Sequence, residues 1–237
     1  MTRRRWIADE VSGDRAALTG DHARHLSQVL RARVGQEFDI AVAGEVRRAK
    51  ISSIEPERVD FALAEVIAQP TVFSITIALS IFKFDRMEWA IEKCTELGVS
   101  KIIPVIAART EPHLASAANK RTERWDRIAR SAAEQSRRVT PPEISQPLSL
   151  SQVLKASSGV RVVLSEIEQD IMLKDAIPAD TAALTLAFGP EGGWKQDELD
   201  SFRTAGWISA SLGATILRAE TAAIAATAIA ASALDRS

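Results

Sequence analysis

Two short segments gather residues able to do chemistry. The first is FGPEGGW, Phe188 to Trp194, where three glycines and a proline follow the apolar run Ala182 to Phe188. Glycine has no side chain, so a ligand can approach the backbone closely while the N–H groups stay free to donate. The second is LGATILRAETA, Leu212 to Ala222, which sets Arg218, Glu220 and Thr221 where a strand-like stretch gives way to an alanine-rich helix. Open α/β sheets take up ligands at such turns, beside the carboxyl ends of neighbouring strands. The pair is expected to form a cofactor site. Neither G-x-G-x-x-G nor G-x-x-x-x-G-K-[ST] occurs, which counts against a dinucleotide or P-loop nucleotide site.

Other candidates are weaker. Lys83, Asp85, Arg86 and Glu88 follow a buried strand at its C-terminal end, where ligands gather, but ordinary helix-start residues look the same. His22 and His25 share a helix face, yet no third ligand accompanies them, so no metal site is expected. Cys94 falls on an apolar helical stripe with Met87, Ile91 and Leu97 and reads as core. Arg124, Arg127, Arg130, Arg137 and Arg138 cluster on one predicted helix; they suit phosphate or a solvated face.

The elements that must position these residues follow from periodicity. Residues 1–70 read as a small, mostly β module: a helix Asp21 to Ala32 capped by Asp21, then strands Glu37 to Ala43, Gly44 to Ile54 and Arg58 to Ile67. Gln69-Pro70 marks a boundary. From Val72 the pattern alternates. Strands are expected over 72–82, Lys101 to Ala107, Val160 to Ser165, Ala182 to Phe188 and Trp207 to Ser211. Helices are expected over Asp85 to Leu97, Arg121 to Arg138, Lys195 to Ala205 and Glu220 to Leu234. Gly98 sits where a helix ends, and Pro141-Pro142 stops the long helix. Alternation of this kind predicts an α/β fold, a parallel sheet with helices on both faces.

Bulk properties bound the class. The 237 residues are 46% apolar and 26% charged, as in an ordinary globular protein. One cysteine excludes an internal disulfide and a Cys-based zinc site, and a cytoplasmic setting fits. The N-terminus has basic residues but no apolar core of a signal peptide. Ala222 to Leu234 is shorter than the ~20 apolar residues a membrane span needs. Net charge is −1, but residues 101–140 carry nine Lys/Arg against four Asp/Glu, and residues 141–237 seven against twelve. The basic stretch could meet phosphates.

The same segments carry a resemblance. GPEGG and LG-x-x-ILRAETA resemble the two C-terminal motifs of the RsmE family, SPOUT-class methyltransferases that modify N3 of a uridine in 16S ribosomal RNA. HLSQVLRARVG (His25 to Gly35), EKCTELGVSKIIP (Glu92 to Pro104) and AAEQSRRVTPPEI (Ala132 to Ile144) match family stretches in the same order. The resemblance implies a PUA-like β-barrel RNA-binding domain over residues 1–70. It implies a SPOUT methyltransferase domain with a trefoil knot over residues 71–237, and a homodimer. S-adenosylmethionine is the implied cofactor and 16S rRNA, within the assembled small subunit, the implied partner; no metal and no membrane are involved.

By the same resemblance, Leu186, Phe188, Gly189, Pro190, Glu191, Gly192 and Gly193 hold the cofactor with Leu212, Gly213, Ile216, Leu217, Arg218 and Thr221. Arg218 would stabilise the negative charge that develops on uracil as N3 loses its proton. Glu220 is either the general base or a support for Arg218. An alternative pairs Arg218 with Glu220 or Glu191 and leaves it no chemistry. Arg3, Arg4, Arg5, His25, Arg31, Arg33, Lys83, Arg124 and Arg138 are the expected RNA contacts. Cys94 in the core leaves no nucleophile for C5 methylation of a pyrimidine. Lys195, Thr215 and Ala219 depart from the family pattern; Lys195 is expected to abolish the capping box with Glu198. A different RNA target, such as a ribose 2′-hydroxyl, or non-catalytic RNA binding are the competing readings.

Overall fold

A computed structural model describes residues 5–67, 74–136 and 138–234. Arg3, Arg4, the Gln69-Pro70 boundary and Arg137 lie outside the described residues. The chain divides into two units, residues 1–71 with 133–141, and residues 72–132 with 142–237.

The first unit contains β1 (Arg5–Ile7), β2 (Glu10–Ser12), β3 (Arg15–Thr19), α1 (Gly20–Arg24), a π-helical turn His25–Val29, β4 (Glu37–Val42), β5 (Glu45–Glu55) and β6 (Arg58–Ile67). They form one sheet in the order β1-β4-β5-β6-β3-β2. One extended segment supplies both edges: Ala8 N–H bonds to Ala41 and Asp9 N–H to Ala17. The sheet therefore curls, helped by two irregularities in the register of β5 with β6. Period-2 alternation puts Phe38, Ile40, Val59 and Phe61 on the inner face, joined by Leu18 and Leu26.

The expected helix Asp21 to Ala32 is not formed as such. It starts at Gly20, leaves α geometry after Arg24, and closes with a π-type bond from Leu30 N–H to His25 O at 3.0 Å. Arg31 then turns into left-handed space (φ 52°), which ends the helix. Asp21 is not the cap; it pairs with Arg24. β1, β2 and β3 were not expected, because strands of three to five residues carry little alternation.

The second unit contains β7 (Ser74–Ser80), α2 (Phe84–Glu96), β8 (Lys101–Ile106), α3 (Pro112–Ala118), α4 (Thr122–Gln135), β9 (Glu143–Ile144), β10 (Leu148–Ser149), α5 (Leu150–Ala156), β11 (Val160–Leu164), β12 (Ala183–Phe188), α6 (Gln196–Thr204), β13 (Ile208–Ala210) and α7 (Ala219–Leu234). The sheet is parallel throughout, in the order β10-β8-β7-β12-β11-β13, with β9 beside β8. Ile75, Ile77, Leu79, Leu184 and Leu186 face one core with Met87, Trp125 and Ala226 from α2, α4 and α7. Ala78, Ile103, Val163 and Ala187 face the other with Val153 and Phe202 from α5 and α6. Helices thus cover both faces, as alternation requires.

α2 behaves as its stripe predicts. Met87, Ile91 and Cys94 are fully buried, and burial holds the Cys94 thiol up at about 12, so it is no nucleophile at neutral pH. Gly98 (φ 100°) ends the helix: its N–H bonds to Thr95 and the Val99 N–H to Cys94. The expected helix Arg121 to Arg138 forms as α4, which starts at Thr122 and ends at Gln135, before Pro141 is reached. α3, β9, β10 and α5 were not anticipated.

A partly buried ion cluster fastens the first unit. His22 Nδ1 lies 3.0 Å from Asp9 Oδ2, and Nε2 lies 3.3 Å from Glu134 Oε2. Hydrogen bonds to Asp9 and Glu134 raise its pKa from 6.5 to about 10, so the ring is a cation donating from both nitrogens. A raised pKa contributes stability that is complete below 6.5 and is lost as pH climbs through about 10. At pH 6.5, His22→Asn should lower the thermal midpoint by about 3–6 °C, taking roughly 1–2 kcal/mol after solvent screening. The gap between variant and parent should shrink steadily toward pH 10 in thermal melts; a gap independent of pH would show that packing alone is at work.

Candidate functional site

β7, β12 and β11 lie side by side in register, Ala78 against Ala187 and Ala187 against Val163. Their C-terminal ends therefore open on one edge of the sheet, the usual ligand position. Four segments bound a cavity of about 690 Å³ there: Lys83 and Arg86 after β7, Ser165 to Ile167 after β11, Phe188 to Trp194 after β12, and Ser211 to Ala219 after β13, with Arg109 after β8. That volume suits a small organic ligand, within the ~300–1,000 Å³ usual for such sites.

The glycine loop is held from three sides. Gly193 N–H bonds to Pro190 O at 2.8 Å, closing a turn after which Gly193 itself takes the left-handed φ of 69° that glycine favours. The Trp194 indole N–H donates to Leu164 O at 3.2 Å, and its ring packs on Phe202 with centroids 4.9 Å apart. The Arg109 guanidinium donates to Gly192 O. Lys195 has no side-chain acceptor, yet half of the expected capping box survives: Glu198 Oε2 accepts Lys195 N–H at 2.9 Å. Its other oxygen accepts Ala108 N–H at 2.9 Å, tying the loop after β8 to α6. The expectation that Lys195 abolishes the box is corrected to this extent.

The site's electrostatics turn on Arg86. Its Nη1 donates to Glu191 Oε1 at 2.8 Å, and its Nε lies 3.8 Å from Glu220 Oε1. Glu220 is 3% exposed, and its Oε2 has no hydrogen-bond partner among the described residues. Glu191 and Glu220 therefore face Arg86, not Arg218 as the alternative reading held. Arg218 is exposed in the cavity wall and makes no ion pair among the described residues. A cationic group left unpaired beside a cavity can receive a developing negative charge.

Most residues expected to hold a cofactor come together. Phe188, Gly189, Pro190, Glu191, Gly193, Leu212, Gly213, Ile216, Leu217 and Arg218 line the cavity, Ile216 standing 83% exposed. Leu186 does not; it is fully buried in the core beneath. Gly192 presents its carbonyl to Arg109, and Thr221 sits on α7 outside the lining. Thr215 and Ala219, the departures from the family pattern, both line the cavity. Arg109 and Glu166 were missed: nothing in sequence spacing marks a residue in the loops after β8 and β11.

The expected RNA contacts separate. Lys83 lines the cavity. Arg124 is instead committed to Glu88 by two bonds of 2.7 and 2.8 Å, locking α4 to α2. Arg138 is half-buried, and that burial lowers its pKa. Arg5 lies in β1, half-buried. His25, Arg31 and Arg33 are exposed together around the π-helical turn, with the Trp6 and His25 rings 5.8 Å apart.

Residues 69–231 match a family described as the RNA methyltransferase domain, and residues 18–64 match the RNA methyltransferase PUA domain. The chain is 33% identical over 213 residues to a ribosomal RNA small subunit methyltransferase E of Rickettsia conorii, covering 86% of this chain and 84% of that one. It is 30% identical to the protein of that name from Bacillus subtilis, covering 87% and 85%. The crystal structure of ribosomal RNA small subunit methyltransferase E from Neisseria gonorrhoeae bound to S-adenosyl methionine is similar at TM-score 0.85, with 30% identity and 98% of each chain covered. Among the described residues, no helix is long and apolar enough to cross a membrane.

Removing one partner of a buried charge leaves the other uncompensated. Arg86→Met should therefore destabilise the protein by about 2–3 kcal/mol in urea unfolding. Adding Glu220→Gln to that variant should recover at least half of the loss. An additive outcome would show that Arg86 and Glu220 do not interact.

Proposed function

We propose a reaction from one premise: the chain belongs to the RNA methyltransferase domain family, together with the ribosomal RNA small subunit methyltransferase E proteins. It is a methyltransferase that uses S-adenosylmethionine and acts on small-subunit ribosomal RNA. The target we assign is N3 of one uridine. The observation that carries the reading is the cavity where the glycine loop meets an unpaired Arg218.

The residues fit the cofactor. The Pro190–Gly193 turn offers backbone without side-chain obstruction, and Lys83 and Arg109 supply cations for a carboxylate. When bound, S-adenosylmethionine supplies a methyl group on a sulfonium, an electrophile that needs no metal. The protein's part is then positioning and charge. Arg218 would hold the uracil edge by hydrogen bonds and stabilise the anion as N3 gives up its proton. Glu220 would serve as base or keep Arg86 in place; its unpartnered Oε2 supports the first role.

RNA is gripped, in this reading, by a PUA-like domain over residues 1–70 through His25, Arg31 and Arg33, with Lys83 beside the cavity of the domain over residues 71–237. A trefoil knot, a homodimer, a cytoplasmic location and an assembled small subunit as substrate complete it.

Small ribosomal subunits lacking the modification should accept label from S-adenosylmethionine and yield 3-methyluridine on nucleoside mass spectrometry. Arg218→Ala should lower kcat about 10²–10³-fold with cofactor binding retained. A 2′-O-methyl nucleoside as product would move the target to ribose, and failure to bind the cofactor would end the enzyme reading.

A further inference from the structure

Three carboxylates line or underlie the cavity, and two of them, Glu191 and Glu220, face Arg86. The third, Glu166, lines the cavity and makes no hydrogen bond or ion pair among the described residues. Its place is fixed by the backbone around it. Ser165 N–H bonds to Ala210 O at 3.0 Å, Glu168 N–H closes back on Ser165 O, and two residues upstream Leu164 O accepts the Trp194 indole. The carboxylate lies directly against the glycine loop. A methyl group on Gly193 would stand 2.8 Å from Glu166 Oε1, so the second glycine of the pair leaves room for this side chain.

The relation between the strands tells what such a group can do. β12 carries the glycine loop, β11 is its parallel neighbour, and Val163 is level with Ala187. Glu166 thus stands beside the level of Pro190, a carboxylate at the carboxyl end of the strand next to the glycine loop. Nucleoside sites on open α/β sheets use an acidic side chain in that relation to accept hydrogen bonds from ribose hydroxyls. A carboxylate is acceptor-only and can take two donors at once, as a vicinal diol presents them.

We propose that Glu166 binds the 2′- and 3′-hydroxyls of the cofactor's ribose, an inference that rests on the S-adenosylmethionine reading above. It makes the β11 loop a determinant of nucleoside specificity that acts in binding and not in the chemical step.

The test is calorimetric binding to the full-length protein of S-adenosylhomocysteine, of its 2′-deoxy analogue, and of 5′-methylthioadenosine, which keeps the ribose but has no amino acid. Glu166→Gln, checked for an unchanged thermal midpoint, should weaken S-adenosylhomocysteine and 5′-methylthioadenosine by the same factor, about 10- to 50-fold for a charged hydrogen bond. The deoxy analogue should bind the parent protein about as weakly as the normal ligand binds the variant, and lose little more there. If Glu166→Gln weakens S-adenosylhomocysteine alone, the carboxylate holds the ammonium group and the ribose assignment is overturned. Unchanged binding of both ligands overturns it too. Failure of the parent protein to bind either ligand would count against the proposed function itself.

Discussion

Arg86 reaches from the first turn of α2 to two carboxylates that arrive by different routes, Glu191 in the loop after β12 and Glu220 at the start of α7. Every other feature of the site assumes that these three segments stay together. A loop built of glycine and proline has little side-chain packing of its own, and ordering it costs backbone entropy. The guanidinium meets that cost with charge-assisted bonds from a helix that is itself fully anchored through Met87, Ile91 and Cys94. The same interaction engages Glu191 and Glu220, while Arg218 makes no ion pair among the described residues and lines the cavity.

Charge elsewhere is sorted on the same principle. In the first unit Arg24, Arg47, Arg48 and Arg58 are spent on Glu57, Asp14, Asp39 and Glu10, holding the curled sheet to itself. His25, Arg31 and Arg33 are left facing solvent around a turn that departs from α geometry. A π turn and a left-handed arginine are both unfavourable locally, and such strain is tolerated where surroundings impose it. His22 supplies the restraint here, clamped between Asp9 and Glu134 one turn before the irregular segment. A near-neutral overall charge therefore conceals a surface on which pairing decides the local sign.

The sequence reading reached the second unit more fully than the first. Long buried strands such as β7 and β12 announce themselves as apolar runs, and Gly98 marked the end of α2 by the φ it permits. β1 to β3 left no comparable trace: strands of three to five residues are held by pairing with β4, with β6 and with each other, not by their own pattern. The glycine loop and the Arg218 segment were legible because their composition is unusual. Arg109 and Glu166 were not, since an arginine and a glutamate in surface loops look ordinary until the sheet brings their strand ends beside β12. Leu186 shows the converse: a residue two positions before the glycine loop belongs to the core, because the strand has not yet ended.

Glu198 shows how the remaining pieces depend on the fold. Its sequence role is local, a third-position partner to a helix cap, and the lysine at the cap seems on paper to remove it. In the structure the side chain is buried and divided between Lys195 N–H and Ala108 N–H, two backbone donors from distant parts of the chain. A buried carboxylate needs such donors to offset its lost hydration. Losing the cap's own oxygen therefore costs one bond of the box, while the bond that orders the loop carrying Arg109 persists. Arg109 in turn holds Gly192. The glycine loop is thus steadied from below by α6 and from the side by α2, and a substitution at position 195 can be absorbed without disturbing the residues that line the cavity.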